Sequence, residues 1–324
     1  MAEITKNING NLTPYGVHGH LHVEGKHLVD EHGKITQLKG ISTHNLSCYP
    51  EYVNEKAFDQ FALEYGVSIM RLAMYSANAD DTDGYSDGSD EHRQELEDII
   101  IKGVKICAKL GIYCLVDWHI LFDADPNTNI EMSKHFFTKM CPLLKEYDNV
   151  ILEICNEPNI DQKTQKKCTW DDIKRYSDVI IPAIREIDDS KVIIVGTPIW
   201  SQDVDTAADA PLTYANIMYT LHFYADTHKQ ELRDKLIYAL GKNLPVFVTE
   251  FGVCNAAGDG DINVTETNTW LSLLDQNNIS YIIWNLSNKN ETSSLIKADV
   301  TKVSNFTDDD LSSGGLMMRE FLKR

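Results

Sequence analysis

The feature that most constrains the fold is a regular alternation between short apolar segments and longer segments with helical spacing. Eight short segments rich in Val, Ile, Leu or Tyr predict buried β-strands. The predicted strands cover residues 38–41, 68–73, 113–116, 150–154, 192–195, 217–221, 246–249 and 281–284. Strands that alternate with helices favour a parallel sheet, because a parallel neighbour needs a long crossover connection.

The segments between the strands carry apolar residues at helical spacing, and one more such segment closes the chain. The predicted helices cover residues 55–64, 91–110, 131–147, 171–187, 229–240, 266–277 and 312–322. The fifth connection, 202–210, is too short for a full helix. Eight units in about 285 residues fit an α/β fold of the (β/α)8 TIM-barrel type better than an open sheet.

The domain organisation follows from the absence of linkers. No stretch rich in Pro, Gly and Ser and no low-complexity segment interrupts the 324 residues, so we expect a single barrel domain over 1–324. Residues 1–15 are expected to form an N-terminal arm. Residues 16–37 contain alternating residues around a turn signal at 30–33, which predicts a β-hairpin that caps the N-terminal face of the barrel.

The net charge limits the partners. It is −19, from 30 Lys and Arg against 49 Asp and Glu. Nucleic acids and anionic membrane surfaces need basic protein surface, so neither is expected, whereas a neutral substrate is compatible. No apolar run approaches the roughly 18 residues of a membrane helix.

Two sequence patterns, the glycosylation sequons and the cysteines, bear on whether the protein is secreted. The chain opens without the apolar segment of a signal peptide, yet seven N-x-[ST] sequons lead us to expect a secreted domain that lacks its leader. The sequons lie at Asn11, Asn45, Asn263, Asn278, Asn285, Asn290 and Asn305. Seven cysteines leave at least one unpaired. A disulfide among Cys48, Cys168 and Cys254 is left open, and the other four are predicted to be buried thiols.

Polar and aromatic side chains with catalytic or binding capacity gather where the predicted strands end. In a barrel the carboxyl ends of all strands surround one mouth, where the active site lies. In strand order, these residues are His44, Arg71, His119, Asn156 with Glu157, His222 with Tyr224, Glu250, and Trp284. Core packing alone does not account for such residues at seven of the eight strands.

Glu157 and Glu250 end strands that lie nearly opposite each other, so their carboxyl groups can approach. Paired carboxylates are the machinery of glycoside hydrolysis, in which a gap of about 5 Å gives retention and about 6.5–9.5 Å gives inversion. The sequence leaves this gap open. We expect Arg71 and Tyr224 to donate to Glu250 and lower its pKa, as suits a nucleophile. The pKa of Glu157, beside that charge, should rise, as suits a general acid.

Other residues are expected to bind the sugar. Asn156 is predicted to bind the 2-hydroxyl, where hydrogen bonds strengthen in the transition state. Trp284 offers a flat face for a pyranose ring, and His44 and His119 are expected to bind ring hydroxyls. Further residues that are expected to line the groove are Tyr49, Tyr75 and Trp200, with Lys289 and Glu291 binding neighbouring sugars.

Eight stretches in order along the chain also match a known family. They are LKGISTHNL (38–46), MRLAMY (70–75), DWHI (117–120), NEPN (156–159), VGTPIWSQDV (195–204), LHFYA (221–225), VTEFG (248–252) and WNLSNK (284–289). With them the chain resembles glycoside hydrolase family 5, and within it the bacterial and anaerobic-fungal endo-β-1,4-glucanases.

The resemblance implies a (β/α)8 barrel that retains anomeric configuration, with Glu157 as acid/base, Glu250 as nucleophile and no metal or cofactor. It places six residues in the core site: Arg71, His119, Asn156, His222, Tyr224 and Trp284. It also matches His44, Tyr75, Trp200 and Lys289 to substrate subsites. Two positions depart from the pattern, since Cys48 and Phe251 both stand where a Trp is usual.

The expected activity is therefore endo-hydrolysis of β-1,4-glucosidic bonds in cellulose and soluble β-glucans, by a monomer. A β-mannanase, a xylanase or a mixed-linkage glucanase on the same scaffold stays open, as does a non-hydrolytic sugar-binding barrel. A metal site of His44, His119 and His222 is disfavoured, because the first strand lacks an H-x-H pattern. The acidic segment 80–92 departs from EF-hand spacing and is predicted to N-cap the next helix.

Overall fold

The computed structural model describes residues 5–78 and 82–323, and within them eight parallel strands close into a barrel. The strands are β3 Lys39–Thr43, β4 Ile69–Tyr75, β5 Tyr113–His119, β6 Val150–Glu153, β7 Ile193–Val195, β8 Ile217–Tyr224, β9 Val246–Gly252 and β10 Tyr281–Leu286. They follow one another in chain order around the barrel, and β10 pairs with β3 to close it. The predicted fold class and all eight predicted strands are confirmed.

Several strands run further towards their carboxyl ends than predicted. β5 continues through His119, and β8 continues through Tyr224, although the predicted strands stop before Asp117 and before His222. The extended pairing sets the site, because it brings Tyr75 level with His119 and His222 level with Glu250. Functional side chains thus lie on rigid strands that are buried along their whole length.

The helices surround the barrel. They are α2 Glu55–Glu64, α3 Asp90–Leu110, α4 Ile130–Leu144, α5 Trp170–Arg185, α6 Val204–Asp209, α7 Gln230–Gly241, α8 Val264–Gln276 and α9 Ser313–Leu322, after a short α1 Pro14–His18. All seven predicted helices are confirmed within about three residues at each end. Ser89 N-caps α3 as predicted for the acidic segment, of which residues 80 and 81 lie outside the described part. A capping box of Thr169 and Asp172 begins α5.

The fifth connection has an unusual backbone. It contains only the short α6, preceded by one turn at Pro198–Ser201. Ile199 and Trp200 in this turn adopt left-handed conformations, with φ of 56° and 54°. Non-glycine residues adopt this conformation only uncommonly, and here the turn presents Trp200 at the mouth of the barrel.

The N-terminal segment caps the opposite end. β1 His22–Glu24 and β2 His27–Val29 pair antiparallel, so a hairpin is present, but its turn lies at residues 25–26. The predicted turn at 30–33 is a second turn, closed by a bridge between Val29 and Ile35. Leu21 and Leu28 pack in one cluster with inward-facing residues of the barrel strands, which seals the barrel floor.

None of the seven cysteines forms a disulfide bond, so Cys48, Cys168 and Cys254 are not joined to one another. Six of the seven are buried, including the four that were predicted to be buried thiols, and Cys48 is partly exposed. Among the described residues, no helix is both long enough and apolar enough to cross a membrane.

Candidate active site

A cleft of about 580 Å³ opens at the carboxyl ends of the strands. Of the fourteen residues expected at the site, Tyr49 does not line the cleft, and Arg71 and Asn156 lie beneath its floor, with no exposed surface. The others line the cleft: His44, Tyr75, His119, Glu157, Trp200, His222, Tyr224, Glu250, Trp284, Lys289 and Glu291. Residues from distant parts of the sequence therefore meet at one mouth, as the strand-end pattern predicts.

Glu157 and Glu250 face each other closely. One carboxylate oxygen of each lies within 4.8 Å of the other and of a ring nitrogen of His222. Both residues are buried, with 9% and 4% of their surface exposed. Such close oxygens favour the roughly 5–5.5 Å carboxyl separation of retaining glycosidases over the roughly 6.5–9.5 Å separation of inverting ones.

Arg71 organises the floor of the site. Its Nη1 donates to Oε2 of Glu250 at 3.1 Å, which confirms the predicted contact. The same guanidinium donates through Nε to Glu153 at 2.8 Å and pairs through Nη2 with Asp117 at 2.9 Å. Burial alone would lower the pKa of Arg71, but these three carboxylates raise it, so the side chain stays charged.

The pKa of Glu250 differs from the expectation. Tyr224 donates its hydroxyl to Oε1 at 2.8 Å, and both this bond and Arg71 lower the pKa as expected. Burial and the neighbouring Glu157 nevertheless outweigh them and raise the pKa of Glu250 to about 7. The expectation of a lowered pKa is therefore wrong, because the sequence does not reveal that the carboxyl group is almost completely removed from water.

Glu157 is the stronger proton holder of the two. Burial, the largest cause, and the nearby carboxylates Glu153 and Asp117 together raise its pKa to about 8, against the opposing effect of Arg71. Nδ1 of His222 lies 2.8 Å from its Oε1. Burial lowers the pKa of His222 to about 4, so this imidazole is neutral near neutral pH. The expected order, with Glu157 above Glu250, is found.

Asn156 lies between the catalytic floor and the third strand. Its Oδ1 accepts from Arg71 at 2.5 Å, and its Nδ2 donates to the carbonyl of Ile120 at 3.0 Å. Nε2 of His119 is 3.2 Å from the same Nδ2, and Nδ1 of His119 is 2.6 Å from Asp117. Both side chains are thus held rigidly at the base of the cleft, and burial keeps the pKa of His119 well below its usual value.

Aromatic rings form one wall of the cleft. The ring of His119 stacks on Tyr75 at 4.1 Å and on Trp284 at 5.3 Å, and His44 lies 5.1 Å from Trp284. Near the rim, Nζ of Lys289 lies 3.1 Å from Glu291. Flat apolar faces beside polar groups are what binding of a sugar requires, since a pyranose ring has apolar faces and a polar edge.

The two unusual positions lie away from this wall. Phe251 is fully buried and stacks on Phe223 at 5.0 Å, among the residues between barrel and helices. Cys48 contacts Thr82, with 3.3 Å between Sγ and Oγ1. Tyr49 packs edge-on against His44 at 5.1 Å but does not itself line the cleft.

Several site residues were not predicted. Asp117, Glu153 and Thr249 form the buried polar layer below the carboxyl groups of Glu157 and Glu250. A charged residue inside an apolar strand was the available signal, because such a residue is buried only with partners. Others that line the cleft without having been predicted are Leu121, Ile199, Gln202, His228 and residues 256–258, all on loops or in extensions of strands.

The described residues contain two groups of three potential metal ligands. One is Glu157, His222 and Glu250, where the second nitrogen of His222 is already 2.9 Å from Thr249. The other is Asp125, Cys168 and Asp172, where Asp172 forms part of the α5 capping box. His44, His119 and His222, which were considered as a metal site, do not form such a group among the described residues.

A (β/α)8 barrel with two buried carboxyl groups at this separation, beside a wall of aromatic rings, has the architecture of a retaining glycoside hydrolase. The family model for cellulase (glycosyl hydrolase family 5) matches residues 29–290. The chain belongs to this family.

Individual relatives agree with that assignment. The chain is 42% identical over 302 residues to endoglucanase A of Butyrivibrio fibrisolvens, covering 93% of this chain and 68% of that protein. It is also 42% identical over 303 residues to an endoglucanase of Clostridium saccharobutylicum, covering 93% and 64%. The chain thus spans about two thirds of these relatives. A variant of the catalytic domain of Thermobifida fusca endoglucanase Cel5A, solved with cellotetraose, superposes with a TM-score of 0.87 at 30% identity, over 96% of this chain and all of that one.

Proposed function

We propose that this domain is an endo-acting retaining hydrolase that cleaves internal β-1,4-glucosidic bonds of cellulose and soluble β-glucans. The observation that carries the proposal is the pair Glu157 and Glu250, which lie within 4.8 Å at the base of a cleft lined with aromatic rings. The names of the curated relatives support the endo-glucanase assignment. The cellotetraose bound to the Thermobifida fusca neighbour supports a β-1,4-glucan as substrate.

The reaction follows from the unequal surroundings of the two carboxyl groups. Glu250, oriented by Arg71 and Tyr224, attacks the anomeric carbon as Glu157 passes its proton to the leaving oxygen. A covalent glycosyl-enzyme forms, and Glu157 then takes a proton from water, whose hydroxyl displaces Glu250. With pKa values of about 8 for Glu157 and about 7 for Glu250, the required protonation states coexist between these values.

The remaining residues position the substrate. Trp284 and Tyr75 offer ring faces to glucosyl units, and Trp200 extends the aromatic surface from the left-handed turn. Asn156, fixed by Arg71, is the proposed partner of the 2-hydroxyl. Polar groups that are proposed to bind other hydroxyls are His44, His119, His222, Lys289 and Glu291.

Substrate choice is tested by reducing-sugar release from carboxymethylcellulose, glucomannan, xylan and mixed-linkage glucan. The proposal predicts the highest rate on a β-1,4-glucan. A much faster rate on mannan or xylan would replace it with a sister activity. If the wild-type protein binds cello-oligosaccharides but hydrolyses none, the domain is a sugar-binding barrel.

The role of Glu157 is tested by Glu157→Ala with two aryl β-cellobiosides. Phenyl cellobioside needs a proton on its leaving oxygen, whereas 2,4-dinitrophenyl cellobioside does not. The variant should lose far more activity on the former. Equal losses on both substrates would remove Glu157 from the role of acid.

We also propose that the domain acts outside the cell as a monomer. The seven sequons support secretion, and five of them remain available for glycosylation in the folded domain, since only Asn45 and Asn285, at 1% and 0% exposed, are buried among them. Fractionation of the producing cells, with size-exclusion chromatography of the purified domain, tests both statements.

A further inference from the structure

A chain of hydrogen bonds leads from Glu157 into the interior of the barrel and ends at a second carboxyl group. Oε1 of Glu157 contacts Nδ1 of His222 at 2.8 Å, and Nε2 of that ring contacts Oγ1 of Thr249 at 2.9 Å. The Thr249 hydroxyl then donates to Oε1 of Glu153 at 2.5 Å. Glu153, His222 and Thr249 have at most 2% of their surface exposed.

The hydrogens of this chain can be placed from the chemistry of its members. A neutral imidazole carries one hydrogen, so His222 donates through one nitrogen and accepts at the other. The Thr249 hydroxyl has a single hydrogen and also lies 2.5 Å from the hydroxyl of Thr220, which can donate to it. If Glu157 is protonated, each contact has one donor: Glu157 to His222, His222 to Thr249, and Thr249 to ionised Glu153.

The hydrogens no longer suffice for all three contacts when Glu157 and Glu153 are both ionised. The chain then lacks one hydrogen, and one of its contacts brings two lone pairs together. We propose that Glu153, acting through Thr249 and His222, holds the proton on Glu157 and so keeps the acid loaded for glycosidic cleavage. Glu153 and Thr249 are thus positioning residues, and this inference rests on the proposed function.

The charge of Glu153 is itself fixed by its other neighbour. Its Oε2 accepts from Nε of Arg71 at 2.8 Å, which favours the ionised form at this end of the chain. Burial raises the pKa of Glu153, and the Asp117 carboxylate adds to this rise, which Arg71, His222 and the Thr249 hydroxyl only partly offset. The direct bond from the Arg71 guanidinium nevertheless stabilises negative charge on Glu153, so the proposal assigns the shared proton to Glu157, the end that faces the substrate.

The chain also assists the second half of the reaction. Once Glu157 has given its proton to the leaving oxygen, the chain is one hydrogen short, which makes the carboxylate a stronger base. It regains a proton from the attacking water, whose hydroxyl bonds to the anomeric carbon as Glu250 departs. Each contact between Glu157 and Glu153 then has one donor again.

Other groups near Glu157 must stay constant in a test of this chain. The titratable and charged groups that face it are Arg71 on β4, Asp117 on β5, Glu153 on β6, His222 and Tyr224 on β8, and Glu250 on β9. A change at Thr249 removes one hydroxyl and leaves all of these in place. Thr249 has no exposed surface, and valine has nearly the same shape.

The test is the pH dependence of kcat/KM for phenyl β-cellobioside in Thr249→Val. Without the hydroxyl, Glu153 loses a donor and becomes easier to protonate, and His222 turns its hydrogen towards ionised Glu157. Both effects lower the pKa of Glu157. The alkaline limb should therefore move to lower pH by about one unit, the effect of roughly one hydrogen bond to a charged form.

Two matched variants serve as controls. Thr249→Ser keeps the hydroxyl and should keep the alkaline limb at its wild-type position. Thr220→Val removes a neighbouring buried hydroxyl that is not part of the chain, and it should leave this limb unchanged. An alkaline limb in Thr249→Val that stays in place or moves to higher pH overturns the proposal.

Two further measurements keep the outcome decisive. If Thr249→Val does not fold, as judged by circular dichroism, Thr249→Ala and Thr249→Ser give the same comparison with one oxygen between them. Wild-type hydrolysis of carboxymethylcellulose distinguishes a failure of the proposed function from a failure of this inference. Its absence overturns the proposed function, whereas normal hydrolysis with an unmoved limb in the variant overturns this inference alone.

Discussion

The hydrogen bond between Tyr224 and Glu250 offers a sharp test of how Glu250, the proposed nucleophile, is kept ionised. The hydroxyl donates to Oε1 at 2.8 Å in a buried site, and Tyr224→Phe removes it while leaving the ring. A hydrogen bond to a charged group contributes about 1.5–3 kcal/mol, and one pKa unit corresponds to about 1.36 kcal/mol. The loss should therefore raise the pKa of Glu250, which is about 7, by about one to two units.

The direction in which the pH profile moves follows from the proposed role of Glu250 as nucleophile. A higher pKa keeps the nucleophile protonated at higher pH, so the acid limb of kcat/KM moves upward. Well below that limb the rate falls in proportion to the ionised fraction, so the variant should lose about 10- to 100-fold at pH 5.5. The loss should be smaller near pH 8. At that pH Glu157 also begins to lose its proton, since its pKa is about 8, so the active pH range narrows.

The assay is kcat/KM for an aryl β-cellobioside over about pH 4–10. Tyr176→Phe is a matched control, because the Tyr176 hydroxyl is also buried and donates to the carbonyl of Ile154 at 2.7 Å, away from the cleft. It should reduce stability by about 1 kcal/mol without moving either limb. An acid limb that stays in place in Tyr224→Phe, or moves to lower pH, refutes the reasoning.

Three further predictions concern Glu157, Trp284 and the cysteines. Glu157→Gln should be inactive on cellulose but more stable to unfolding than the wild type. The pKa of Glu157 is about 8 in the folded protein and 4.5 in the free group, so the folded wild type binds the proton more tightly than the unfolded chain does. The free energy of unfolding of the wild type therefore falls as pH rises from 4.5 to 8. Urea unfolding should show a gain on the order of 1–3 kcal/mol at pH 7 that vanishes near pH 4.5, and a variant less stable than wild type at pH 7 contradicts this. Trp284→Ala, which removes a ring stacked on His119, should lower kcat/KM for cello-oligosaccharides by about 10- to 100-fold, and an unchanged value would remove Trp284 from substrate binding. A thiol reagent should label only Cys48 rapidly in the native protein and all seven cysteines after denaturation, and fewer than seven would reveal a disulfide.

The barrel was predictable because its signals are local. Each strand is a short apolar run, each helix has its own periodicity, and the strand ends of a closed parallel barrel meet at one mouth. His44, His222 and Glu250 could therefore be placed together from position alone. The N-terminal hairpin was predicted, but its turn was misplaced, because the signal at 30–33 marks a second turn and the first uses only residues 25–26.

The buried polar layer could not be predicted with the same ease. Glu153 reads as one charged residue in the apolar run 150–154, and only the pairing of β5 with β6 brings it level with Asp117. The direction of the Glu250 pKa shift was missed for a related reason. Arg71 and Tyr224 were visible as partners, but the burial that outweighs them depends on how the whole mouth packs.

The left-handed turn at Pro198–Ser201 is a third case. Nothing in the residues TPIW marks positive φ angles, since neither Ile199 nor Trp200 favours them. The conformation is held by its surroundings: the backbone N–H of Trp200 donates to the carbonyl of Pro158 at 2.9 Å. This contact links the turn to the NEPN segment that carries Glu157, so the position of Trp200 depends on tertiary structure.

The central claim is that Glu250 attacks the sugar while Glu157 holds the proton. The most direct measurement is to trap the covalent intermediate with a 2-deoxy-2-fluoro-β-cellobioside that bears a good leaving group, and to locate the added mass by peptide mass spectrometry. We expect one fluorinated cellobiosyl unit per protein chain on Glu250, no label in Glu250→Gln, and products of natural substrates that retain the anomeric configuration. A label on Glu157, or an inverted product with no trapped intermediate, would contradict it.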